Sequence, residues 1–98
     1  MKSLNVLGSF LAKKRHELGL SQEFMAARLQ RHGVDVSRQM LANLESGRTQ
    51  ITDKHLIGYQ RVCRIRLIRL FPREIQALDE QYGQREKDLE NGPHRRRR

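Results

Sequence analysis

The sequence predicts an all-α protein, in which about five short helices pack around one small core and a further helical segment follows. Three observations support this fold class. Apolar residues recur at the spacings of one helical face. Serine or threonine precedes several of these runs and glycine follows them, which is typical of helix caps. The chain has 98 residues, which suits a single core.

The first predicted helix runs from about Gly8 to Leu18, because Leu7, Leu11 and Leu18 form one apolar stripe. Gly19 follows at the position of a C-cap. The lead-in before this helix, residues 1–6, is expected to fray.

Ser21 is the predicted N-cap of the second helix, whose inward face holds Met25, Ala26 and Leu29. Phe24 does not lie on that face. Two interpretations of Phe24 stay open. It folds back onto the lead-in, which we favour, or it belongs to a surface that contacts a partner.

The link of residues 31–36 contains Val34 and Val36, which are candidates to anchor it to the core. Ser37 is the predicted N-cap of the third helix, which ends at Ser46-Gly47. The apolar side of this helix consists of Met40, Leu41 and Leu44. Its outward side consists of Arg38, Gln39, Ala42 and Asn43.

The outward side of the third helix indicates a function. Arg, Gln and Asn carry paired donors and acceptors that match base edges in the major groove of DNA. A short helix held by its own apolar residues and presenting such side chains is typical of a DNA recognition helix. Arg38, Gln39 and Asn43 are therefore the predicted base-contacting residues, although an ordinary solvated helix face is the alternative.

Thr52 or Asp53 is the predicted N-cap of a fourth helix. The run of residues 61–71, RVCRIRLIRLF, predicts the end of this helix joined tightly to a fifth, and one longer helix is the alternative. Pro72 marks a break. We therefore expect a DNA-binding domain at residues 1–72 and an extension at residues 73–98.

The extension is predicted to be helical from about Arg73 to Glu90. Ile75, Leu78, Tyr82 and Leu89 lie on one stripe, which is interrupted by Arg85. Such a helix packs on its own domain or on a second subunit. Asn91-Gly92-Pro93 ends it, and the basic tail at residues 94–98 is expected to be disordered.

The net charge is +9, from 20 Lys and Arg against 11 Asp and Glu. Residues 1–73 hold fourteen basic and five acidic residues, whereas residues 74–94 hold two basic and six acidic ones. This balance favours a polyanionic partner for the body of the protein, with solubility alone as the alternative.

Basic side chains on and near the first three helices serve either phosphate contact or solubility, and Arg48 is the strongest candidate for phosphate contact. The full set is Lys13, Lys14, Arg15, Arg28, Arg31 and Arg48. A second group either approaches DNA or pairs with the acidic extension, in the same subunit or in a second one. It consists of Arg61, Arg64, Arg66 and Arg69. The tail residues Arg95–Arg98 form either a solvated end or a non-specific DNA arm.

The composition argues against several other functions. Cys63 is the only cysteine, so no internal disulfide forms, and its apolar neighbours predict a buried, inert thiol. The four histidines show no metal-ligand spacing, and no cofactor or metal is expected. No segment predicts a membrane span or a signal peptide, so we expect a cytoplasmic protein. The sequence has neither clustered carboxylates nor a Cys–His arrangement, so we do not expect an enzyme.

Several segments of the sequence, taken in order, resemble a known family. The segment from about Leu7 to Phe71 looks like the Cro and phage-repressor (XRE) type of helix-turn-helix domain. The matching pieces, in this order, are ELGLSQE at residues 17–23, the small Ala26, SRQMLANLESGR at residues 37–48, and the closing Leu70-Phe71. The resemblance implies a five-helix, lambda-repressor-like fold.

The resemblance also implies roles for individual residues. Arg38, Gln39 and Asn43 match positions that contact base edges. The positions that contact the DNA backbone correspond to Ser21, Gln22, Ser37, Arg48 and Thr49. In the loop of Arg48 and Thr49, relatives offer amide N–H groups and basic side chains to phosphate, and Gln22 also braces the recognition helix. Arg15 and Glu45 match a structural salt bridge.

Together these observations predict a sequence-specific transcriptional regulator that binds double-stranded DNA as a homodimer, with repression as the family's commoner use. The alternative is an antitoxin-like or partner-binding protein that uses the same fold. The acidic extension and Phe24 would then contact another protein.

Overall fold

The computed structural model describes residues 3–91, and these residues form helices joined by short links, with no strand among them. The predicted all-α fold is confirmed. The α-helices are α1 (Gly8–Glu17), α2 (Gln22–Arg31), α3 (Arg38–Glu45), α4 (Asp53–Cys63) and α5 (Arg73–Asn91). A 3₁₀ turn at Leu67–Leu70 lies between α4 and α5. The basic tail and the Gly92-Pro93 helix end lie outside the described residues.

Side-chain caps fix where three of the helices begin. The Oγ atoms of Ser21 and Ser37 accept hydrogen bonds from the backbone N–H groups three residues later, at 3.0 and 3.1 Å. Thr52 and His55 form a reciprocal capping box at the start of α4, in which Thr52 N–H donates to His55 Nδ1 at 3.0 Å. These contacts satisfy N–H groups that a helix leaves unpaired in its first turn, so the predicted N-caps are confirmed.

The core lies between α1, α2, α3 and α4 and is closed by the 3₁₀ turn. Its buried apolar side chains are Leu11, Met25, Ala26, Leu29, Val34, Val36, Leu41, Leu44, Tyr59, Cys63 and Leu70. Val36 is fully buried and Val34 is nearly so, which confirms that the link between α2 and α3 is anchored to the core. Burial also raises the pKa of the Cys63 thiol, which keeps it protonated and unreactive.

The segment after α4 is tighter than an α-helix. Arg64 ends α4 in the left-handed conformation, with φ 58° and ψ 47°. The chain then makes one 3₁₀ turn whose last residue, Leu70, is buried against the core. The fifth predicted helix is therefore a single short turn, because the left-handed residue reverses the chain and Leu70 returns to the core within a few residues.

Helix α5 projects from the body. It follows Pro72, whose carbonyl accepts hydrogen bonds from the N–H groups of Ile75 and Gln76, both at 3.0 Å. Gln76 Nε2 also donates to Phe71 O at 2.8 Å. No side chain that the structure describes on α5 is buried, so the helix touches its own domain mainly through its first turns. Its apolar stripe does not pack on the same subunit.

The lead-in is more ordered than expected, and Phe24 has a neighbour in its own helix. Residues 3–6 of the lead-in do not fray, because Leu4 N–H donates to Gly47 O at 2.8 Å and Asn5 bonds to the end of α3. Phe24 contacts Arg28 of its own helix. Its ring is 45% exposed and lies 5.0 Å below the guanidinium carbon of Arg28, a cation–π contact within α2.

Candidate nucleic-acid interface

Helix α3 presents a polar edge to solvent. Arg38 and Gln39 are exposed and Asn43 is half-buried. Behind them Leu41 is fully buried and Leu44 is 3% exposed, so the helix cannot rotate without uncovering both leucines. Gln39 Nε2 lies 3.4 Å from Asn43 Oδ1, which aligns the two amides along one side of the helix. The three predicted base-contacting residues therefore share one solvent-facing surface, which we call the α3 edge.

The position of Met40 on α3 differs from the expectation. We expected it on the apolar side with Leu41 and Leu44, but it is 47% exposed. The core takes up only the two leucines and Glu45, because α3 has eight residues and α1 and α2 cover a narrow strip of it. Met40 thus adds an apolar group beside the α3 edge.

The N-termini of α2 and α3 carry Ser21 and Ser37. Each hydroxyl oxygen accepts a hydrogen bond from its own helix, from Phe24 N–H and Met40 N–H respectively. A serine hydroxyl has one hydrogen of its own, which remains to donate to an acceptor such as a phosphate oxygen. Both helix N-termini also carry a partial positive charge from the aligned peptide dipoles, which favours an anion there.

Gln22 links the start of α2 to the end of α3. Its side-chain Nε2 donates to Glu45 Oε1 at 3.1 Å, and the residue is half-buried. A primary amide has two N–H donors, so a second remains for an acceptor outside the protein. Gln22 thereby braces α3, and its second N–H group remains available to an acceptor outside the protein.

Glu45 is the centre of a buried polar network at the end of α3. Its carboxylate accepts from Arg15 Nε at 2.8 Å, Arg15 Nη2 at 2.9 Å and Tyr59 Oη at 2.6 Å. Arg15 also donates to Leu20 O at 2.7 Å. Arg15 is 5% exposed and Glu45 8%, so the pair joins α1 to α3 in the interior. The hydrogen bond from Tyr59 joins α4 to the same carboxylate. Arg15 is consequently not available to phosphate.

The network shifts the titration of its members. Burial alone would raise the pKa of Glu45, but the hydrogen bonds from Arg15, Tyr59 and Gln22 outweigh it and hold that pKa below its ordinary value. The bond to Glu45 raises the pKa of Arg15. Burial, with the bond to Glu45, raises the pKa of Tyr59. The carboxylate thus stays charged and the phenol stays protonated at neutral pH.

The loop after α3 turns at Gly47, whose φ of +81° lies in the left-handed region. Arg48 N–H donates to Asn43 O at 2.9 Å, so this amide closes the helix end and is not offered to solvent. The Arg48 side chain is exposed and Thr49 is half-buried. We expected both amide and side-chain donors from this loop, but at Arg48 only the guanidinium faces outward.

Sequence reasoning missed Asn5. Its Oδ1 accepts from Gly8 N–H at 2.6 Å, and its Nδ2 donates to Leu44 O at 3.1 Å and Thr49 O at 2.7 Å. One side chain thus caps α1 and holds both the end of α3 and the following loop. An asparagine three residues before the helix start is a capping pattern that could have indicated this role. It was not used because the lead-in was expected to fray.

The remaining basic side chains differ in availability. Lys14 Nζ pairs with Glu17 Oε1 at 2.9 Å, and Arg28 lies over Phe24. Among the residues that the structure describes, Lys13, Arg31 and Arg48 form no salt bridge. The same holds for the second group, Arg61, Arg64, Arg66 and Arg69, so of the two open alternatives, pairing with the acidic extension does not occur within one subunit among the described residues.

Residues 3–91 hold neither a metal-binding cluster nor a membrane-spanning helix. Their His, Cys, Asp and Glu side chains form no group of three that could hold a metal ion. Their helices include none with the length and apolarity needed to cross a membrane.

The helix-turn-helix family model matches residues 11–70, which covers more than half of the chain and includes α2, α3 and the link between them. No curated protein and no solved structure gives a significant match. The matched residues include the whole of the α3 edge. The chain belongs to the Cro/C1-type (XRE) helix-turn-helix family of DNA-binding regulators.

Proposed function

We propose that the protein is a sequence-specific transcriptional regulator that inserts α3 into the major groove of DNA. The α3 edge carries this proposal, because Arg38, Gln39 and Asn43 face solvent on a helix that buried leucines hold in place. Arg is suited to guanine, and Gln or Asn to adenine, and each good bidentate pair contributes about 1–3 kcal/mol of discrimination.

Contacts to the DNA backbone would orient α3 in the groove. Ser21, Gln22 and Ser37 each have a donor that internal hydrogen bonds leave over, and the Arg48 guanidinium is exposed. Thr49 lies beside Arg48 and is suited to the same strand. These groups supply affinity and register, whereas the α3 edge supplies the choice of sequence.

Two copies would occupy a two-fold symmetric operator as a homodimer assembled on the DNA. One recognition helix spans few base pairs, and two of them on successive turns of the groove raise both affinity and selectivity. Occupancy of such a site would block transcription, so we propose a repressor. Members of this family typically act in the bacterial cytoplasm, and we propose the same compartment here.

Selection of binding sites from random double-stranded DNA tests the proposal. The wild-type protein should enrich one two-fold symmetric motif. Gln39→Ala and Asn43→Ala should each relax the preference at particular positions of that motif. Gln84→Ala removes an exposed amide from α5 and is the matched control, which should leave the motif unchanged. Failure of the wild type to enrich any motif would exclude sequence-specific binding.

Arg48 should contribute affinity without sequence preference. Arg48→Ala should weaken binding to all sequences by a similar factor and should reduce the slope of log affinity against log salt by about 0.9, the value of one phosphate contact. Binding titrations at several salt concentrations measure this slope. Arg85→Ala on α5 is the matched control and should keep the wild-type slope, whereas an Arg48→Ala effect at one base pair only would contradict the assignment.

A further inference from the structure

Helix α5 has an apolar stripe that nothing in the described structure covers. Ile75 is 41% exposed, Leu78 44%, Tyr82 59% and Leu89 56%. With Arg85 between the last two, these residues recur at alternating steps of three and four, which is the spacing of a helix that pairs with another helix. This set of five residues is called the α5 stripe below.

The helix has a physical reason to take a partner. It spans 19 residues, and none of its described side chains is buried. Most helical stability in proteins comes from packing an apolar face rather than from helix propensity. The α5 stripe would supply that packing if a second helix covered it.

The charges beside the stripe restrict what that second helix can be. In a helix pair, the residues flanking the seam set the choice of partner. Four of the five flanking residues of the α5 stripe are acidic. They are Glu74, Asp79, Gln81, Glu86 and Asp88.

A second copy of α5 is a poor match for these flanks. In a parallel pair, Glu74 of one copy would face Asp79 of the other, and Arg85 would face Arg85. In an antiparallel pair, Asp79 would face Glu86 on one side of the seam, and Gln81 would face Asp88 on the other without an attraction. Like charges in these positions oppose association in either orientation.

We propose that α5 is the docking site for an amphipathic helix of a different protein, whose flanking positions are basic and whose seam carries one carboxylate opposite Arg85. Basic flanks would convert each like-charge contact into an attraction, and the carboxylate would neutralise the one cation in the seam. This role goes beyond DNA binding, because α5 lies outside the α3 edge and outside the family match at residues 11–70.

Synthetic probe helices of about three heptads test this proposal against the full chain. The basic probe has leucine at the seam, lysine at the flanks and one seam glutamate. The acidic probe has glutamate at the flanks instead, and a scrambled basic peptide controls for net charge. Fluorescence anisotropy titrations should show the basic probe binding at least about tenfold tighter than the acidic one, a difference of about 1.4 kcal/mol.

Charge reversal on α5 provides the matched pair of variants. Asp79→Lys with Glu86→Lys leaves two basic and two acidic flanking residues, so it should abolish the preference for the basic probe. Glu80→Lys with Glu90→Lys makes the same change in net charge away from the stripe and should keep the order. Leu78→Ala should weaken binding of the basic probe.

Three results would overturn the proposal. The first is that the basic probe binds no better than its scrambled form. The second is that both charge-reversal variants behave alike, which would make the effect one of net charge. The third is a stable dimer of the free chain in sedimentation experiments that Leu78→Ala dissociates, because the partner of α5 would then be a second copy.

Discussion

The buried carboxylate of Glu45 should be the most sensitive single group for stability. Glu45→Gln keeps the shape of the side chain and removes its charge. Arg15, which is 5% exposed, would then lie in the interior without its counter-charge. The new side-chain amide would also place N–H donors where two donors, from Arg15 and Tyr59, already point.

The expected loss follows from the burial of both partners. Breaking a buried ion pair by changing one partner costs about 3–5 kcal/mol, because the remaining charge is uncompensated. Domains of this size have a free energy of unfolding of about 5–15 kcal/mol, so the change removes a large part of it. At about 4–8 °C per kcal/mol, the melting temperature should fall by roughly 12–40 °C.

A double-mutant cycle separates the pair from its surroundings. Arg15→Met and Glu45→Leu should each destabilise strongly, but the double variant should lose less than the sum, because no lone charge remains. The double variant still leaves the Tyr59 hydroxyl without its acceptor. Adding Tyr59→Phe removes that group and should recover part of the remaining loss.

Urea unfolding followed by circular dichroism measures these differences. Glu86→Gln, a matched change at an exposed carboxylate on α5, should alter the free energy of unfolding by no more than about 0.5 kcal/mol. If Glu45→Gln were equally mild, or if the Arg15 and Glu45 changes were additive, the network would not hold α3 in the way described.

Three further predictions concern the backbone and the caps. Gly8→Ala should cost about 1–3 kcal/mol, since the added methyl would meet the carbonyl oxygen of Leu44 and lie 2.8 Å from that of Glu45, and thermal melts would detect it. Arg64→Gly should raise the free energy of unfolding by about 0.5–1 kcal/mol in the same assay, because glycine adopts the left-handed conformation without the steric cost; a loss would contradict this. Burial lowers the pKa of His55, against an opposing effect of Asp53, so the unfolded chain binds the proton more readily and stability should fall as pH drops from about 6.5 towards the folded-state pKa. His55→Gln keeps a capping-box side chain and should remove that part of the pH dependence, and an unchanged profile in unfolding titrations would count against it.

The parts of the fold that the sequence predicted are those with local causes. Ser21, Ser37 and Thr52 mark helix starts because a cap requires only a hydroxyl and an N–H three residues away. The break at Pro72 is local in the same sense. The α3 edge could also be predicted from the sequence, since the spacing of Leu41 and Leu44 decides which side of the helix faces outward.

The parts that the sequence did not predict depend on contacts distant in the chain. Asn5 is ordered by carbonyl groups 39 and 44 residues away, so no local pattern reveals that the lead-in is fixed. Met40 resembles a core residue by its type, but the neighbouring helices leave it uncovered. The 3₁₀ turn exists because Leu70 reaches the core, which the helical composition of residues 61–71 does not indicate.

Discrimination of one DNA sequence from another is the role that we propose for the α3 edge. Its most direct test is the ratio of two equilibrium affinities at the same salt concentration, one for the enriched motif and one for DNA of the same composition in scrambled order. We expect a ratio of at least about 10³ for the wild type, reduced when Gln39 and Asn43 are both replaced by alanine. A wild-type ratio near one, or a ratio that this double replacement leaves unchanged, would contradict it.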